Sequence, residues 1–543
     1  MPIQLKTWLL DWAWGKKSAS DVVRDAHAAA QDLPKRTLDP RILRLAKTIT
    51  NLGNAERVVQ SLSPDLGLGK PTYIPDSSIE LVMTPSTVWT WLLKSHPARF
   101  RAHLGAQRDG VQEWWEQFLR RPAAAEFWSL HPWLEGRTPS DLRWHLPLMM
   151  FDDAGPISAH NSSFVRVWYS IVGRGNEKET RFLMCSGLKD KDKDDMSWPV
   201  ILESFEELAK PVEAGSWGGI LLFIGADLDY ACNVLGMPHY NGGPDGICMA
   251  CEANATTIPH NTFHANATWR GTVVCNQRFM DRIRTPLHPL AEHAFFTKYT
   301  YRYCLLHMVD HHGVGSHIVG NIVWTHLSGD RDCDVLEGAN LEDRVTFLNA
   351  KLKAWYSEHR VQNKLPTVKA TNFKDGDRFP ELKGNGVKAA NTKAVIPFVL
   401  ELQQRATRLN PSPRNKHMEK VVLALQTAID IMYSAGHFLD DETWTALDKK
   451  LTRLGQHYQY LAVMEFKEGR MRWQTIPKLH YVSGHLAEQA ALINPRHVQG
   501  YASESMVGEM CRIYNRCQSG PFERVIQRTV MRKYTTGLQL MWV

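Results

Sequence analysis

The pattern of hydrophobic residues changes period near residue 140, and that change limits the fold more than any other feature of the chain. Before it, segments such as SASDVVRDAHAAAQDL and VQEWWEQFLRR read as helices, the first opened by Ser18 three residues before Asp21 in the manner of a capping box. After it, LRWHLPLMMF, NSSFVRVWYSIVG and ETRFLMCSGL read as three strands, with the turn GRGNEK before the third. Beyond the charged loop KDKDKDD, WPVILESFEELAKP places Ile201, Phe205 and Leu208 at helical spacing. WGGILLFIGADLDY then reads as a Gly-opened strand that ends in Asp227.

Strand, strand, strand, helix, strand is the opening of an RNase H-like fold. In that fold the first and fourth strands are neighbours, so acids at their C-terminal ends meet. The first strand ends in Asp152 and Asp153, the fourth in Asp227. Carboxylates brought together repel each other unless a cation lies between them. Mg²⁺ prefers carboxylate oxygens, water and phosphate, and a pair of such ions clamps the two oxygens of a phosphoryl transfer. Two polar loops that happen to begin with Asp would look the same in sequence.

Three further stretches resemble the DDE transposases, most closely the CACTA (En/Spm-like) superfamily. GADLDYACNVLGMPHYNGGPDGICMACEAN is similar to the family's second-acid block, with Asp227 in the acid position and Cys248 and Cys251 as the following Cys pair. CLLHMVDHHGVGSHIVGNIV carries Cys304 and His307 in a C-x-x-H element that resembles one found between the second and third acids. IPKLHYVSGHL followed by YASESMVGEMCRIYNRC is similar to the end of the catalytic region, where Glu504 takes the place of the third acid beside Tyr501 and Gly508. FDDAGP matches the first block loosely, because Ala154 stands where Gly is usual. Spacing to Pro156 favours Asp153 as the ligand, with Asp152 as the alternative.

The resemblance implies a catalytic triad of Asp153, Asp227 and Glu504 that holds Mg²⁺ or Mn²⁺. On a helix over 501–517, Glu504 and Glu509 flank opposite sides of the apolar stripe, and only the resemblance selects Glu504. The implied architecture is mixed α/β. A helical N-terminal region over 1–139 precedes the first part of an RNase H-like core over 140–245. A large, mostly helical insertion over 246–490 follows, and 491–543 completes the core.

The insertion opens on a zinc-knuckle-like segment. Cys248 and Cys251 are spaced C-x₂-C, and His260 and His264 follow as H-x₃-H, four ligands suited to a closed structural Zn²⁺ site. Cys275 and His239 are substitutes for the His pair, and surface histidines in a polar loop are the plainer reading. His307, Asp310, His311, His312 and His317 are dense enough for a second metal site, though a helix with one polar face explains them as well.

Charge is uneven. From residue 351 onward there are 29 Lys and Arg against 17 Asp and Glu, in a chain whose overall charge is +7. A basic C-terminal part suits a polyanion such as DNA, as does the Lys- and Gly-rich stretch TVKATNFKDGDRFPELKGNGVKAANTK. A solvated helical surface and a mobile loop are the alternatives. No apolar run approaches the ~18 residues of a membrane span. The start, MPIQLKTWLLDWAWGKK, lacks the features of a secretory leader, and the nine scattered Cys suit a reducing compartment. The N-x-S/T triplets at Asn161, Asn254 and Asn266 then carry no glycan.

The expectation is therefore a nuclear, metal-dependent transposase acting on transposon ends and target DNA, possible as a homo-oligomer, neither membrane-bound nor secreted. A catalytically inactive DNA-binding protein of transposon origin and a zinc-stabilised interaction scaffold are the rival expectations.

Overall fold

The computed structural model describes residues 1–32, 38–75, 77–157, 162–175, 177–189, 196–239, 246–329, 335–373, 379–517 and 523–542. Asn161, most of the charged loop before Met196 and part of the Lys- and Gly-rich stretch after Phe373 lie outside them. The chain divides into two compact units. The first comprises Met1–Glu116, Pro132–Ile224 and Tyr501–Val543, the second Gln117–His131 and Gly225–Gly500.

The first unit is built on a mixed sheet. Strands β1 (His145–Pro156), β2 (Ser162–Ser170), β3 (Phe182–Leu188) and β4 (Gly218–Ala226) lie in the order β3-β2-β1-β4. β2 is antiparallel to both β1 and β3. β1 and β4 begin side by side: Gly218 N–H donates to Trp144 O at 2.8 Å, and Gly219 lies against the Leu148 side chain. The two strands therefore run in the same direction. β4 is buried along its whole length, as is β1 from His145 to Asp153. A strand covered on both faces needs an unbroken apolar run, which is why LPLMMF and GGILLFIGA do not alternate.

β1 does not stop at its acids. Asp153 is paired with Val165, and the ladder continues to Pro156 opposite Ser162. The expected strand end is thus three residues early. In that extension Ser163 and Ser162 of β2 lie opposite Gly155 and Pro156.

Each face of the sheet has its own helices. On one side, the helix Ser197–Ala209 meets the helix Pro85–Ser95, where Ser86 N–H donates to Ser204 Oγ at 2.9 Å. On the other, the helix Tyr501–Cys517 packs on β1 and β2. The helix Glu523–Trp542 reaches β3, where the Tyr534 hydroxyl accepts from Leu183 N–H at 2.9 Å, and packs on the N-terminal helix Ile3–Ala13. The Ser18–Asp21 capping box forms, with reciprocal bonds of 3.0 and 3.1 Å.

The second unit is mainly helical. Its longest elements are Ala389–Leu409, Pro413–Ser434 and Asp441–Lys467. The last two pack lengthwise and bury Val421, Leu425 and Met432 on one helix and Leu447, Leu454 and Tyr458 on the other. Ser412 and Asp440 cap their N-termini by accepting from Asn415 N–H and Thr443 N–H. Among the described residues no helix is long and apolar enough to cross a membrane.

Candidate metal centre

The two adjacent acids of β1 are separated by the pleat, since successive strand residues face opposite sides. Asp152 faces the Ser197–Ala209 helix. Its Oδ2 accepts from Arg166 Nε at 2.5 Å, across the ladder from its own register partner, and both side chains are fully buried. Arg166 also donates to Ser197 Oγ at 3.1 Å and lies over the ring of Trp198 at 4.2 Å. Asp152 is thus a structural carboxylate, which removes it as the alternative metal ligand.

Asp153 faces the other way, towards the Tyr501–Cys517 helix. It shares that face with Gly155, where an added Cβ would lie 2.7 Å from Cys511 Sγ and 3.3 Å from Val507 Cγ1. Glu504 lies on the same helix. Burial first, then the charges of Glu504 and Asp153, push the Cys511 thiol up to about 12. Both carboxylates therefore act on one thiol. Glu509, on the other flank of the stripe, is paired with Arg512 at 2.6 Å.

In the second unit Asp227 caps the helix Leu228–Asn233, its Oδ1 accepting from Tyr230 N–H at 2.7 Å. The main-chain carbonyls of Ala226 and Asp227 share the hydroxyl proton of Tyr301, at 3.1 and 2.9 Å. His307 and Asp310 are buried in a π turn, Leu306–Asp310. Cys304 just before it accepts from Gly500 N–H at 3.3 Å. Lys478 donates to the carbonyls of His312 and His311 at 2.9 and 3.4 Å. Burial holds its ammonium below the usual lysine value, and Asp227 and Glu381 partly restore it.

The clearest donor cluster is Cys248, Cys251, His480 and His485, all buried, with one ligating atom from each within 4.8 Å of all the others. The Cys pair sits on a tight loop. Ala250 N–H donates to Cys248 Sγ at 3.3 Å, and the Arg282 guanidinium donates to the carbonyls of Cys248 and Cys251 at 2.8 and 2.9 Å. The histidines come from the helix Pro477–His480 and the π turn Tyr481–His485 that continues it. Residues five apart are splayed by about 140° on an α-helix, and the wider π turn brings them back to one side. Trp269 roofs the pair, with its ring centroid 4.6 Å from that of His480 and 5.4 Å from that of His485.

Hydrogen bonds on the far side of each ring aim the pair. His480 Nδ1 donates to His260 O at 2.9 Å, and His485 Nδ1 faces Glu488 Oε2 at 2.7 Å. With those nitrogens acting as donors, the two Nε2 atoms carry lone pairs, and they face each other at 3.2 Å. Cys251 Sγ lies 3.3 Å from His480 Nε2. Electron-rich atoms at that spacing need a cation or a proton between them. Burial opposes charge on His485, but the Cys248 thiolate and Glu488 outweigh it and raise the imidazole to about 10.

His260 and His264 of the expected ligand set are not in this cluster: His264 is exposed, and His260 contributes its main-chain carbonyl, not its ring. The segment between the Cys pair and His260 folds back on itself, as Asn254 Oδ1 accepts from Thr256, Thr257 and Ile258 N–H. That turn brings the carbonyl of His260, and not its ring, to His480. Cys275 is exposed as well.

No family model matches this chain, and none of the curated proteins compared with it is recognisably similar.

Proposed function

We propose that the chain is a metal-dependent enzyme that cuts and joins DNA strands, a DDE-type transposase on an RNase H-like core. The placement of Asp153 carries this reading. It lies on the face of β1 covered by the helix that bears Glu504, and both carboxylates act on Cys511. β4 starts beside β1 and runs the same way, and Asp227 is the residue directly after it.

In this reading Asp153, Asp227 and Glu504 are the acids that would hold a divalent cation, as the resemblance implies. Oxygen donors of this kind suit Mg²⁺ or Mn²⁺. A cation held there would supply activation of water or a DNA 3′-OH and stabilisation of the leaving oxygen. The protein's part is to hold the carboxylates still. The main-chain bond to Tyr230 fixes the Asp227 side chain, and Arg166 keeps Asp152 out of the site.

Cys248, Cys251, His480 and His485 hold a structural Zn²⁺ in the same reading. Tetrahedral bonds of about 2.0–2.1 Å to N and 2.3 Å to S give edges of roughly 3.3 Å for N···N and 3.6 Å for N···S. The separations of 3.2 and 3.3 Å match a site of that size. Four protein donors leave no open position for chemistry. DNA, as transposon end and target, is the proposed partner of the basic C-terminal part. The site of action is then the nucleus, and self-association would bring two ends together.

The test is nicking of supercoiled plasmid with Mn²⁺, beside an electron paramagnetic resonance titration of bound Mn²⁺. Asp153→Asn and Asp227→Asn are each expected to abolish nicking and weaken Mn²⁺ binding at least tenfold, with duplex binding kept. Undiminished nicking in both variants sinks the proposal. Duplex binding with no nicking by the parent protein would leave the inactive DNA-binding reading in its place.

A further inference from the structure

Three residues, Tyr301–Tyr303, form a short strand in the second unit that touches two chemically different places. At one end the Tyr301 hydroxyl holds the carbonyls of Ala226 and Asp227. Tyr301 is 2% exposed, so these bonds are shielded from water. Along its length the strand is gripped by Gln489, whose Oε1 accepts from Tyr303 N–H at 3.0 Å and whose Nε2 donates to Tyr301 O at 3.3 Å. Gln489 stands on the helix Leu486–Ala490, which follows His485 directly. The Tyr303 ring also packs edge-on against Tyr481, with centroids 5.0 Å apart, and the Tyr481 hydroxyl accepts from Met249 N–H between the two cysteines.

We infer that Tyr301 is a positioning residue that couples the Cys248–Cys251–His480–His485 metal site to Asp227, so that filling the first raises the affinity of the second for its cation. This rests on the metal-site assignments proposed above. The physical route is short. A cation drawn into the cluster fixes His480 and His485 and thereby the turn and helix between Tyr481 and Gln489. Gln489 then presents a fixed amide to the strand, and the strand presents a fixed hydroxyl to the peptide that carries Asp227. Without the first cation only hydrogen bonds tie His480 and His485 to each other and to Cys251, and the turn that bears them loosens. Two binding equilibria that share a rigid element are linked, and the linkage acts equally in both directions.

The coupling does not need Asp227 to be a ligand of the Cys and His cluster. It makes the zinc-type site a control on the acidic site and not merely a staple of the second unit.

The experiment compares the parent protein, Tyr301→Phe and Gln489→Leu, each with and without removal of tightly bound zinc by a chelator. Tyr301→Phe keeps the ring and its packing and removes only the hydroxyl. Two quantities are read: amide hydrogen exchange over 226–230 and Mn²⁺ affinity by electron paramagnetic resonance. Zinc removal from the parent protein should speed exchange over that segment and weaken Mn²⁺ binding about tenfold. Both substituted proteins should retain zinc, show the faster exchange already, and change less than twofold when zinc is stripped. Exchange over 226–230 that is indifferent to zinc in the parent protein overturns the inference. So does a zinc effect of equal size in parent and Tyr301→Phe. If the exchange result holds but no protein binds Mn²⁺, the coupling stands and the catalytic reading of Asp227 fails.

Discussion

Asp152 and Arg166 form an ion pair in which neither side chain touches solvent, with Oδ2 and Nε 2.5 Å apart. Asp153, the next residue, faces the opposite side of the sheet, towards a helix that offers it another carboxylate. One acid of the pair is bound to a cation of the protein. The other is the acid that the proposed function assigns to a metal cation.

The two acids should therefore respond to neutralisation to very different degrees. Asp152→Asn leaves a buried guanidinium uncompensated and should destabilise the first unit by roughly 3–5 kcal/mol. Asp153→Asn removes a charge that has Glu504 nearby, and should change stability by less than about 1 kcal/mol in the absence of metal. Urea unfolding in metal-free buffer distinguishes the two, and equal losses would contradict the assignment of their roles.

Zinc content should follow the corrected ligand set. His480→Ala and His485→Ala should each reduce tightly bound zinc from about one equivalent to below roughly a tenth. His260→Ala keeps the main-chain carbonyl that orients His480, and His264 is exposed, so both of those variants should keep the metal. Elemental analysis of dialysed protein checks all four.

Gly155 is a contact, not a hinge. Gly155→Ala puts a methyl group 2.7 Å from Cys511 Sγ and should lift the Tyr501–Cys517 helix, at a cost of about 1–3 kcal/mol. Adding Cys511→Ala should recover most of that loss. Thermal unfolding of the single and double variants tests it, and the absence of recovery would place the helix elsewhere.

His317 should make the second unit acid-sensitive. Burial lowers its imidazole from 6.5 to about 4, with Glu381 opposing and Lys478 assisting. At pH 7.5 both folded and unfolded states are neutral at this residue. As pH falls through 6.5 the unfolded chain takes the proton first, so stability is lost down to about 4. The loss by pH 5 is about 2 kcal/mol. His317→Leu should remove that increment, which urea midpoints at pH 7.5 and 5 would reveal.

The sheet was largely readable from the chain because helical spacing gives way to unbroken apolar runs in β1 and β4 and to Val, Tyr and Trp in β2. The pleat also ensures that Asp152 and Asp153 diverge, but which of them meets Arg166 depends on the β1–β2 register, and no local pattern states that. The Cys pair was legible as C-x₂-C. Its partners were not, because His480 lies 229 residues beyond Cys251 and reaches His485 only through a π turn. The nearer His260 and His264 had the better spacing and the wrong fold around them. IPKLHYVSGHL stood out in the sequence by resemblance to a catalytic region, and its histidines turn out to face two cysteines.

The turn Tyr481–His485 holds one residue more than a turn of α-helix. At roughly 80° per residue, five steps leave His485 about 40° from His480 around the axis. Deleting one residue between them would restore ordinary helix at 100° per residue, and four steps would leave the rings about 40° apart. Both lengths present the two Nε2 atoms to the cysteines. The ligand pair is therefore indifferent to a one-residue change in chain length here, and a version of this protein one residue shorter at the turn would bind the same ion.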